Sequence, residues 1–549
     1  MAFLRTYQNK TFDPHEFHAV KSTLRESIKQ VCDQHHHRPF LSFYAAGSDR
    51  PLRWTYADFF SRVGGLQSKL DNENIPATQL LVTVGPNTPE HLVILLGAYL
   101  RGHPIAMLDP EDPTWMTEQK LQQLNQPHAV FTSKQDLTQK GHFDFTTIQD
   151  LPPANPRFSV HTRPNQAVQV FTSGSTGSSE IALLREEGLL ANAEALIHLH
   201  DLKPGRRVLT PLPVFRMNCF SFSFLANLLA GGELILTEHF DLGQFLKILE
   251  IESVHIASVA PHILVQLEQR KEHLPPNSAL DYFLTAAAPL SPDLAKRLVF
   301  NFPYRVIQGY GLSQAVNFSL TMPPKLSQKE YQHWMTAFAR PSLGTPVDFN
   351  SVQVWGPSGE VKSAGEVGEL VIRGWKIMDG YLGDSEQACF QGEALHTGDL
   401  GFFQTDALGR PFFFITGRSK EVIKRMGETV SLVEIDNCLM TLGLAFEAAI
   451  AVPFANKSAG EEIAIVIQLK DSQKVDTSNL VESLKSKLAE KSWPRVIAFT
   501  QDPVRTSSGK ASRWKFRDSF AQYHSKILGK IPILHKGDLK AHPGEDDPS

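Results

Sequence analysis

The sequence is poor in cysteine, in long apolar runs and in excess charge of either sign. Its 549 residues include 4 cysteines, none in a CxxC pair, which argues against a structural zinc site and a disulfide framework. The best apolar run, residues 92–100, is too short to span a bilayer. A net charge of −4 gives no reason to expect nucleic acid as a partner. Because the polar N-terminus also lacks an apolar signal region, we expect a soluble cytoplasmic protein.

The sequence does have length and a regular alternation of short and long segments. A chain this long is expected to form more than one core. From about residue 78 to 310, strand-like runs such as 80–84, 233–237 and 254–257 alternate with helical patterns, which predicts parallel sheets covered by helices. We therefore predict an α/β protein with an N-terminal domain over 1–418, a small β-rich subdomain over about 340–418, a C-terminal α+β domain over 421–535 and a disordered tail over 536–549.

A loop of Ser, Gly and Thr follows one predicted strand. The stretch VFTSGSTGSSE at 170–180 presents successive backbone N–H groups and hydroxyls without bulky side chains, which suits an anion such as phosphate. No GK[ST] follows, so this is not a Walker A loop. A flexible Ser/Gly linker is the alternative. Linkers rarely lie directly between a buried strand and a helix, so the pattern favours a phosphate site.

Seven further stretches follow this loop in order. They are TAAAPLSP (285–292), QGYGLSQA (308–315), GELVIRG (368–374), HTGDLG (396–401), the segment 415–436 that starts ITGRSK, SWPRVIAF (492–499) and RTSSGKASR (505–513). With the loop, they resemble the ordered motifs of the acyl-adenylate-forming superfamily. That superfamily includes acyl-CoA and aryl-CoA synthetases, peptide-synthetase adenylation domains and firefly luciferase. The resemblance extends from about residue 165 to 517.

The resemblance implies a reaction in two steps. A carboxylic acid first attacks ATP to give an acyl-adenylate and pyrophosphate, and a phosphopantetheine thiol then displaces AMP. ATP, Mg²⁺ and CoA are the implied cofactors and a small carboxylic acid is the implied partner. CoA is favoured as the acceptor because no fused carrier domain is evident; a separate acyl or peptidyl carrier protein is the alternative. A degenerate member that binds nucleotide without turnover is a third possibility.

The resemblance also implies which residues hold the nucleotide. Tyr310 would lie against adenine, although a core aromatic is the alternative. Asp399 would accept the ribose hydroxyls, although loop Asp residues before glycine are more often turn residues. Arg418 would contact ribose or phosphate. The remaining nucleotide-site residues are Thr172, Ser173, Gly174, Ser175, Thr176 and Gly177 in the phosphate loop, and Ala287, Ala288, Gly311, Ser313 and Lys510 elsewhere.

Three residues are implied for catalysis. Lys510 would neutralise charge between the carboxylate and the α-phosphate, although a solvated surface lysine is its ordinary reading. Ser313 would lie near the α-phosphate. Lys420 stands at the family's hinge, about which the C-terminal domain would move as a lid between the two half-reactions.

Three positions depart from the family pattern. Glu180 stands where a loop lysine is usual, and Gln314 replaces the Glu that holds Mg²⁺, so a metal role for its neutral amide is doubtful. Arg216 replaces a histidine at the acyl pocket, which would allow a substrate with an extra anionic group. Drift without functional consequence is the other interpretation. The further pocket candidates, which core packing explains equally well, are Phe215, Phe220, His262 and Ala286.

Overall fold

The computed structural model describes most of the chain as two compact units. The described residues are 22–124, 128–134, 137, 142–159, 167–172, 180–276, 279–286, 288, 290–383, 390–391, 393–418, 421–426, 428–440, 442, 446–469, 475–505, 511–524 and 533–534. The first unit comprises Met1–Thr172, Ser179–Thr397 and Gly401–Ile415, and the second Ser173–Ser178, Gly398–Leu400 and Thr416–Ser549. The domain boundaries at 418 and 421 stay a prediction, and the tail 536–549 lies outside the described residues.

Strands and helices alternate through the first unit. Its strands, the last two of which include residues of the second unit, are β1 (Pro39–Tyr44), β2 (Leu52–Thr55), β3 (Leu80–Val84), β4 (Ile105–Leu108), β5 (His128–Thr132), β6 (His142–Asp144), β7 (Val168–Phe171), β8 (Ile181–Leu184), β9 (Arg207–Thr210), β10 (Glu233–Thr237), β11 (Ile256–Val259), β12 (Tyr282–Thr285), β13 (Arg305–Gly311), β14 (Phe318–Thr321), β15 (Thr345–Pro346), β16 (Asn350–Trp355), β17 (Gly368–Gly374), β18 (Gly380–Tyr381), β19 (Phe390–Gln391), β20 (Ala394–Thr405) and β21 (Pro411–Arg418).

The helices of the first unit connect these strands. They are α1 (Leu24–His35), α2 (Tyr56–Asn72), α3 (Pro89–Arg101), α4 (Thr114–Gln123), α5 (Glu186–Leu199), α6 (Asn227–Leu229), α7 (Leu242–Ile251), α8 (Pro261–Gln269), α9 (Pro292–Phe300) and α10 (Gln328–Thr336), with a π-helical segment at Cys219–Ala226 and 3-10 turns at Phe145–Ile148, Lys271–His273 and Ser313–Ala315.

Two large sheets, parallel at their centres, carry the first unit. One runs in the order β15-β14-β13-β12-β11-β9-β10-β1-β2 and the other in the order β18-β8-β7-β4-β3-β5-β6. Antiparallel strands lie toward their edges, where β2 pairs with β1, β14 with β13 and β8 with β7. All residues of β3 and β10 are buried, as expected for strands covered on both faces. The predicted α/β class is confirmed.

The β-rich segment and the second unit have their own sheets. Strands β16, β17, β20, β19 and β21 form a smaller sheet. The second unit contains α11 (Leu432–Met440), α12 (Thr477–Lys487), α13 (Trp514–Arg517), 3-10 turns at Glu490–Ser492 and Asp518–Tyr523, and strands β22 (Val422–Arg425), β23 (Glu428–Ser431), β24 (Ala448–Asn456), β25 (Gly460–Gln468), β26 (Val496–Thr500) and β27 (Ile533–Leu534). Apolar residues cluster on both faces of its sheet. In the part of the chain that is described, we find no helix with the length and apolar character needed to cross a membrane.

A network of charged side chains joins β1, β2, β9 and β10 at one end of the larger sheet. Arg207 donates to both oxygens of Glu233 (2.7 and 2.9 Å) and also pairs with Glu252 (2.8 Å). Glu252 in turn accepts from Arg53 (2.5 Å) and from the hydroxyl of Tyr44 (2.6 Å). Both carboxylates are buried. Since a buried carboxylate needs paired cations and donors, Arg207 holds this end of the sheet together.

Replacing Arg207 with methionine tests this network. Arg207→Met leaves two buried carboxylates short of a cation, so the free energy of unfolding should fall by about 3–5 kcal/mol. Denaturant titration of the variant measures the change. Lys29→Ala, which removes an ion pair to Asp33 between two exposed side chains, should leave the unfolding midpoint unchanged. Equal stability of Arg207→Met and the wild type would contradict the role given to the network.

Lys376 is a fully buried lysine in the segment after β17. Its ammonium donates to the carbonyl of Phe318 at 2.8 Å. Burial lowers its pKa to about 7, although the nearby charge of Asp348 acts to raise it. Because the lysine pKa in an unfolded chain is about 10.4, the unfolded state binds more protons between these two values. The cost of burying Lys376 is therefore full below about pH 7 and is relieved as the pH rises.

A pH series of unfolding measurements tests this linkage. The wild-type free energy of unfolding should rise with pH above about pH 7, relative to Lys376→Met, by up to about 1.4 kcal/mol per pH unit. Lys329→Met, which changes an exposed lysine, should show no such pH-dependent difference. A stability difference between the wild type and Lys376→Met that is the same at about pH 6 and about pH 9 would show that Lys376 stays charged in the folded protein.

Candidate active site

The stem of the predicted phosphate loop is a pair of antiparallel strands. Residue Phe171 at the end of β7 faces Ile181 at the start of β8. Beyond this pair, both the backbone N–H (2.8 Å) and the hydroxyl (3.1 Å) of Thr172 donate to the carbonyl of Glu180. The stem thus uses the main chain of residue 180, and it engages the hydroxyl of Thr172 at the base of the loop. Ser173, Gly174, Ser175, Thr176 and Gly177 lie outside the described residues, and the phosphate role of the loop stays a prediction.

The GYG segment ends β13 beside β14. Tyr310 pairs with Leu320 and is partly exposed, and Gly311 pairs with Phe318. A Cβ atom on Gly311 would lie 1.5 Å from the carbonyl oxygen of Asn317, so the backbone crossing leaves room for glycine alone. The close approach fixes where β13 ends and where Tyr310 stands.

A strained turn follows directly after Ser313 and Gln314. Val316 has φ 62° and ψ −59°, and the N–H of Asn317 donates to the carbonyl of Ala315 at 2.7 Å. This is the γ-turn with positive φ, a rare conformation and a costly one for a β-branched residue, at roughly 1–3 kcal/mol. Such a turn persists only where its surroundings over-determine it. It therefore gives Ser313 and Gln314 a fixed backbone.

The side chain of Gln314 is tied to β18. Its side-chain amide nitrogen donates to the hydroxyl of Tyr381 at 3.0 Å, and the backbone carbonyl of Gln314 accepts from the N–H of Met378 at 2.7 Å. One end of the amide is thus committed to a tyrosine. The other end is a neutral oxygen, which is a weaker ligand than carboxylate for Mg²⁺. The metal role of Gln314 stays a prediction.

A buried glutamine joins the AAAPL stretch to the GYG segment. The amide oxygen of Gln308 accepts from the N–H of Leu290 (3.1 Å), and its nitrogen donates to the carbonyl of Ser342 (3.3 Å). Gln308 also pairs with Thr285 across β12 and β13, so this one residue contacts both Thr285 and Leu290. Ala286 is buried in the same stretch and Ala288 is exposed, while Ala287 lies outside the described residues.

The loop after β9 is held by an asparagine from the other large sheet. Asn87, which follows β3, donates to the carbonyls of Leu212 (3.2 Å) and Thr237 (2.8 Å) and accepts from the N–H of Val214 (2.8 Å). The turn that carries Asn87 is fixed by His91, whose ring nitrogens contact Pro86 O (3.0 Å) and the Thr83 hydroxyl (2.9 Å). Burial lowers the pKa of His91 to about 4, so the ring is neutral.

The predicted pocket residues differ in their surroundings. Arg216, in the loop after β9, pairs with Asp109, which follows β4, at 3.2 Å. The guanidinium of Arg216 also lies 4.9 Å from the ring centre of the partly buried Phe215. Phe220 is packed in the core, and His262 is exposed at the start of α8. Loops at the carboxyl ends of parallel strands are the usual place for ligands, and both Arg216 and Asp109 lie in such loops.

In the second unit, two of the predicted nucleotide residues contact each other. The Nε of Arg418 donates to Oδ1 of Asp399 at 2.7 Å, and the Asp399 side chain is almost fully buried. The pair leaves the Arg418 guanidinium partly exposed. Lys420 and Lys510 lie outside the described residues. Their roles, like those of Asp399 and Arg418, stay predictions.

Several residues that build the site were not identified from the sequence. Asn87 and Asp109 lie in none of the quoted motifs, and Gln308 begins the QGYGLSQA stretch without a role assigned to it there. Each of the three acts through a contact with another segment of the chain. The sequence offers one indication for Asn87, which is that it lies in a Gly-Pro-Asn-Thr-Pro turn directly after a buried strand. Such a turn favours a side chain that satisfies exposed backbone groups.

Comparisons with known proteins agree on the family. The model of the family described as AMP-binding enzyme matches residues 28–382. The chain is 28% identical over 368 residues to the sulfoacetate–CoA ligase of Cupriavidus necator, covering 66% of this chain and 68% of that one. It is 29% identical over 355 residues to the feruloyl-CoA synthase of an Amycolatopsis species, covering 64% and 69%.

Solved structures share the fold. The o-succinylbenzoate CoA synthetase (MenE) of Bacillus subtilis, in complex with its acyl-adenylate intermediate, superposes with a TM-score of 0.77 at 19% identity, covering 92% of this chain and 99% of that one. ATP-bound MatB of Rhodopseudomonas palustris gives a TM-score of 0.75 at 18% identity, covering 92% and 100%. Because the family model matches well over half of the sequence, the chain belongs to the AMP-binding enzyme family and is a member of its AMP-forming acid–thiol ligases.

Proposed function

We propose that this ligase activates a small carboxylic acid with ATP and transfers the acyl group to the thiol of CoA. In the first step a carboxylate oxygen bonds to the α-phosphorus and the bond to pyrophosphate breaks. In the second step the thiol sulfur bonds to the acyl carbon and AMP leaves. The observation that carries the proposal is the Gln308 amide, which binds the N–H of Leu290, at the end of the AAAPL stretch, to the strand that ends in the GYG segment.

The first step needs positioned donors and cations more than covalent help from the protein. Tyr310 would support the adenine ring, and the loop that begins at Thr172 would hold phosphate. The buried carboxylate of Asp399 would bind the ribose, and the hydrogen bond from Arg418 at 2.7 Å would orient it. ATP would bring its Mg²⁺ with it, because the amide of Gln314 adds at most one neutral ligand.

The identity of the acceptor rests on the relatives. The two relatives from Cupriavidus necator and the Amycolatopsis species are named as a CoA ligase and a CoA synthase, which supports CoA over a carrier protein. The acid is less constrained by their names. Sulfoacetate and o-succinylbenzoate both carry a second anionic group, whereas other relatives are named for feruloyl or long-chain fatty acids. The names therefore support a carboxylic acid and leave its class open.

Pyrophosphate release tests the adenylation step. With ATP, Mg²⁺ and a panel of fatty, aryl and dicarboxylic acids, release should depend on one acid class and should fall by about 10²- to 10³-fold in Lys510→Ala. The matched control is Lys515→Ala, which removes a neighbouring lysine that lies 5.6 Å from the ring centre of Phe516; it should retain activity.

Adding the acceptor separates the remaining alternatives. Stimulation of turnover by CoA, with the acyl-CoA recovered as product, would support the proposal. If turnover is stimulated by a phosphopantetheinylated carrier protein and not by CoA, the carrier protein is the acceptor. ATP binding without pyrophosphate release, for every acid in the panel, would mean that this chain is a degenerate binder.

A second variant tests the Gln308 clamp. Gln308→Leu leaves the N–H of Leu290 without its acceptor inside the protein, and a buried unsatisfied group costs about 1–3 kcal/mol. We expect KM for ATP to rise by about 5- to 20-fold, with a smaller change in kcat, because the stretch beside the nucleotide loses its fixed position. Steady-state kinetics at saturating acid measure both. Gln353→Leu, which removes an amide acceptor for Trp355 in β16, should change neither constant. An unchanged KM for ATP in Gln308→Leu would show that the clamp does not shape the nucleotide site.

A further inference from the structure

Arg216 is a cation with most of its hydrogen-bonding capacity left over. One guanidinium nitrogen contacts one oxygen of Asp109 at 3.2 Å. A guanidinium has five N–H donors, and a fully used arginine–carboxylate pair takes two of them in parallel. Within the described part of the chain, no other acceptor is bonded to the Arg216 side chain, which is 48% exposed. Its planar fork is therefore available to a second anion.

Arg216 is also held in place from two sides. Its guanidinium lies 4.9 Å from the ring centre of Phe215, which limits where the fork can swing. Asp109 is itself fixed, because its other oxygen accepts from the N–H of Glu111 at 3.0 Å and its side chain is only 13% exposed. A cation fixed in this way loses little conformational entropy when it binds a ligand, which is the condition for selective recognition.

The backbone of the loop around Arg216 is also held by hydrogen bonds. The Asn87 amide bonds to Leu212 and Val214, four and two residues before Arg216, and to Thr237 at the end of β10. The N–H of Arg216 donates to the carbonyl of Pro213, and its own carbonyl accepts from the N–H of Phe220, in the turn that leads into the π-helical segment at Cys219–Ala226. Backbone and side chain are both set before any ligand arrives.

We propose that Arg216 selects an acid carrying a second anionic group and that Asp109 sets how strongly it does so. The proposal rests on the proposed function and names the substrate class of that site. The second carboxylate, or a group of like charge and shape, binds the free edge of the guanidinium as a bidentate pair. Asp109 holds the fork in position and also competes with the substrate for its charge, which moderates the affinity.

An apolar monocarboxylic acid would fit this arrangement poorly. Its tail would have to cover a half-exposed guanidinium and remove water from the unused donors, with no acceptor to replace it. A half-ester of a dicarboxylic acid has nearly the shape of the parent acid and lacks the second charge. Comparing the two therefore isolates the interaction with Arg216.

The test is the ratio of kcat/KM for a dicarboxylic acid to that for its monomethyl ester. The probes are straight-chain dicarboxylic acids from succinate to suberate, and pyrophosphate release is the readout. The wild type should prefer the diacid, and Arg216→Gln should lower the ratio by about 10- to 100-fold. Arg216→Lys, which keeps the charge and loses the fork, should recover part of the ratio. Asp109→Asn should lower KM for the diacid about 2- to 5-fold, because the competing charge is gone.

Arg206→Gln provides the matched control. Arg206 precedes β9, and it pairs with Asp281 at 2.7 Å in an arginine–aspartate contact of the same kind. This variant should leave the ratio unchanged. Thermal unfolding of each variant shows whether it is folded, and calorimetric titration of the diacid against wild type and Arg216→Gln gives an affinity that does not depend on turnover.

The outcomes separate this inference from the proposed function. If no acid leads to pyrophosphate release, the proposed function is refuted. In that case, diacid binding that is present in the wild type and lost in Arg216→Gln would still support the anion site. If the wild type is active and Arg216→Gln does not change the ratio of kcat/KM for the diacid to that for its monomethyl ester, the inference is overturned and the proposed ligase reaction is unaffected. A rise in KM for CoA or ATP at constant acid ratio also overturns it, because Arg216 would then serve the phosphates of another substrate.

Discussion

A single side-chain amide joins the two large sheets where their parallel strands end. Asn87 comes from the turn after β3, and its hydrogen bonds reach Leu212, Val214 and Thr237 at the ends of β9 and β10. The amide satisfies two backbone carbonyls and one backbone N–H at this edge, and it ties the turn after β3 to the ends of β9 and β10. The neutral ring of His91 fixes the turn that carries it. The hydrogen bonds of Asn87 therefore help to position Arg216 and the residues near it.

The sequence predicts the strands inside the two large sheets well, and the strands β1 and β2 at one side of the larger sheet poorly. Strands such as β3 and β10 are buried along their whole length and appear as short, mainly apolar runs, so their alternation with helices is enough to predict them. The strand expected at 254–257 occupies Ile256–Val259, because its short apolar run extends past the expected end. The alternation that starts near residue 78 does not reach β1 and β2. In β2 two of four residues are exposed, and only pairing with β1 makes it a strand.

The residues of the candidate site also differ in whether the sequence predicts them. Resemblance identified residues whose chemistry is tied to a motif, and two of them, Asp399 and Arg418, are in contact at 2.7 Å. It did not identify the residues that hold the motifs in place. The partner of Asp109 lies 107 residues along the chain, and Gln308 acts through backbone groups of other segments. Contacts of this kind depend on how the sheets meet, and no local pattern in a single sequence encodes that.

The three departures from the family pattern balance in charge. Glu180 in place of lysine lowers the formal charge by two, whereas Gln314 in place of glutamate and Arg216 in place of a neutral histidine each raise it by one. Charges act on a bound polyanion over roughly 10 Å, so the summed field matters more than any single residue. The stem contacts explain why position 180 tolerates an acid, since they use its carbonyl and leave the side chain unspecified. Random loss of function gives no reason for such a balance. A shift of positive charge from the phosphate loop to the loop after β9 accounts for Glu180 and Arg216, because the loop after β9 is where we place the second anion of the acid. Gln314, which follows β13, supplies the remaining unit of charge.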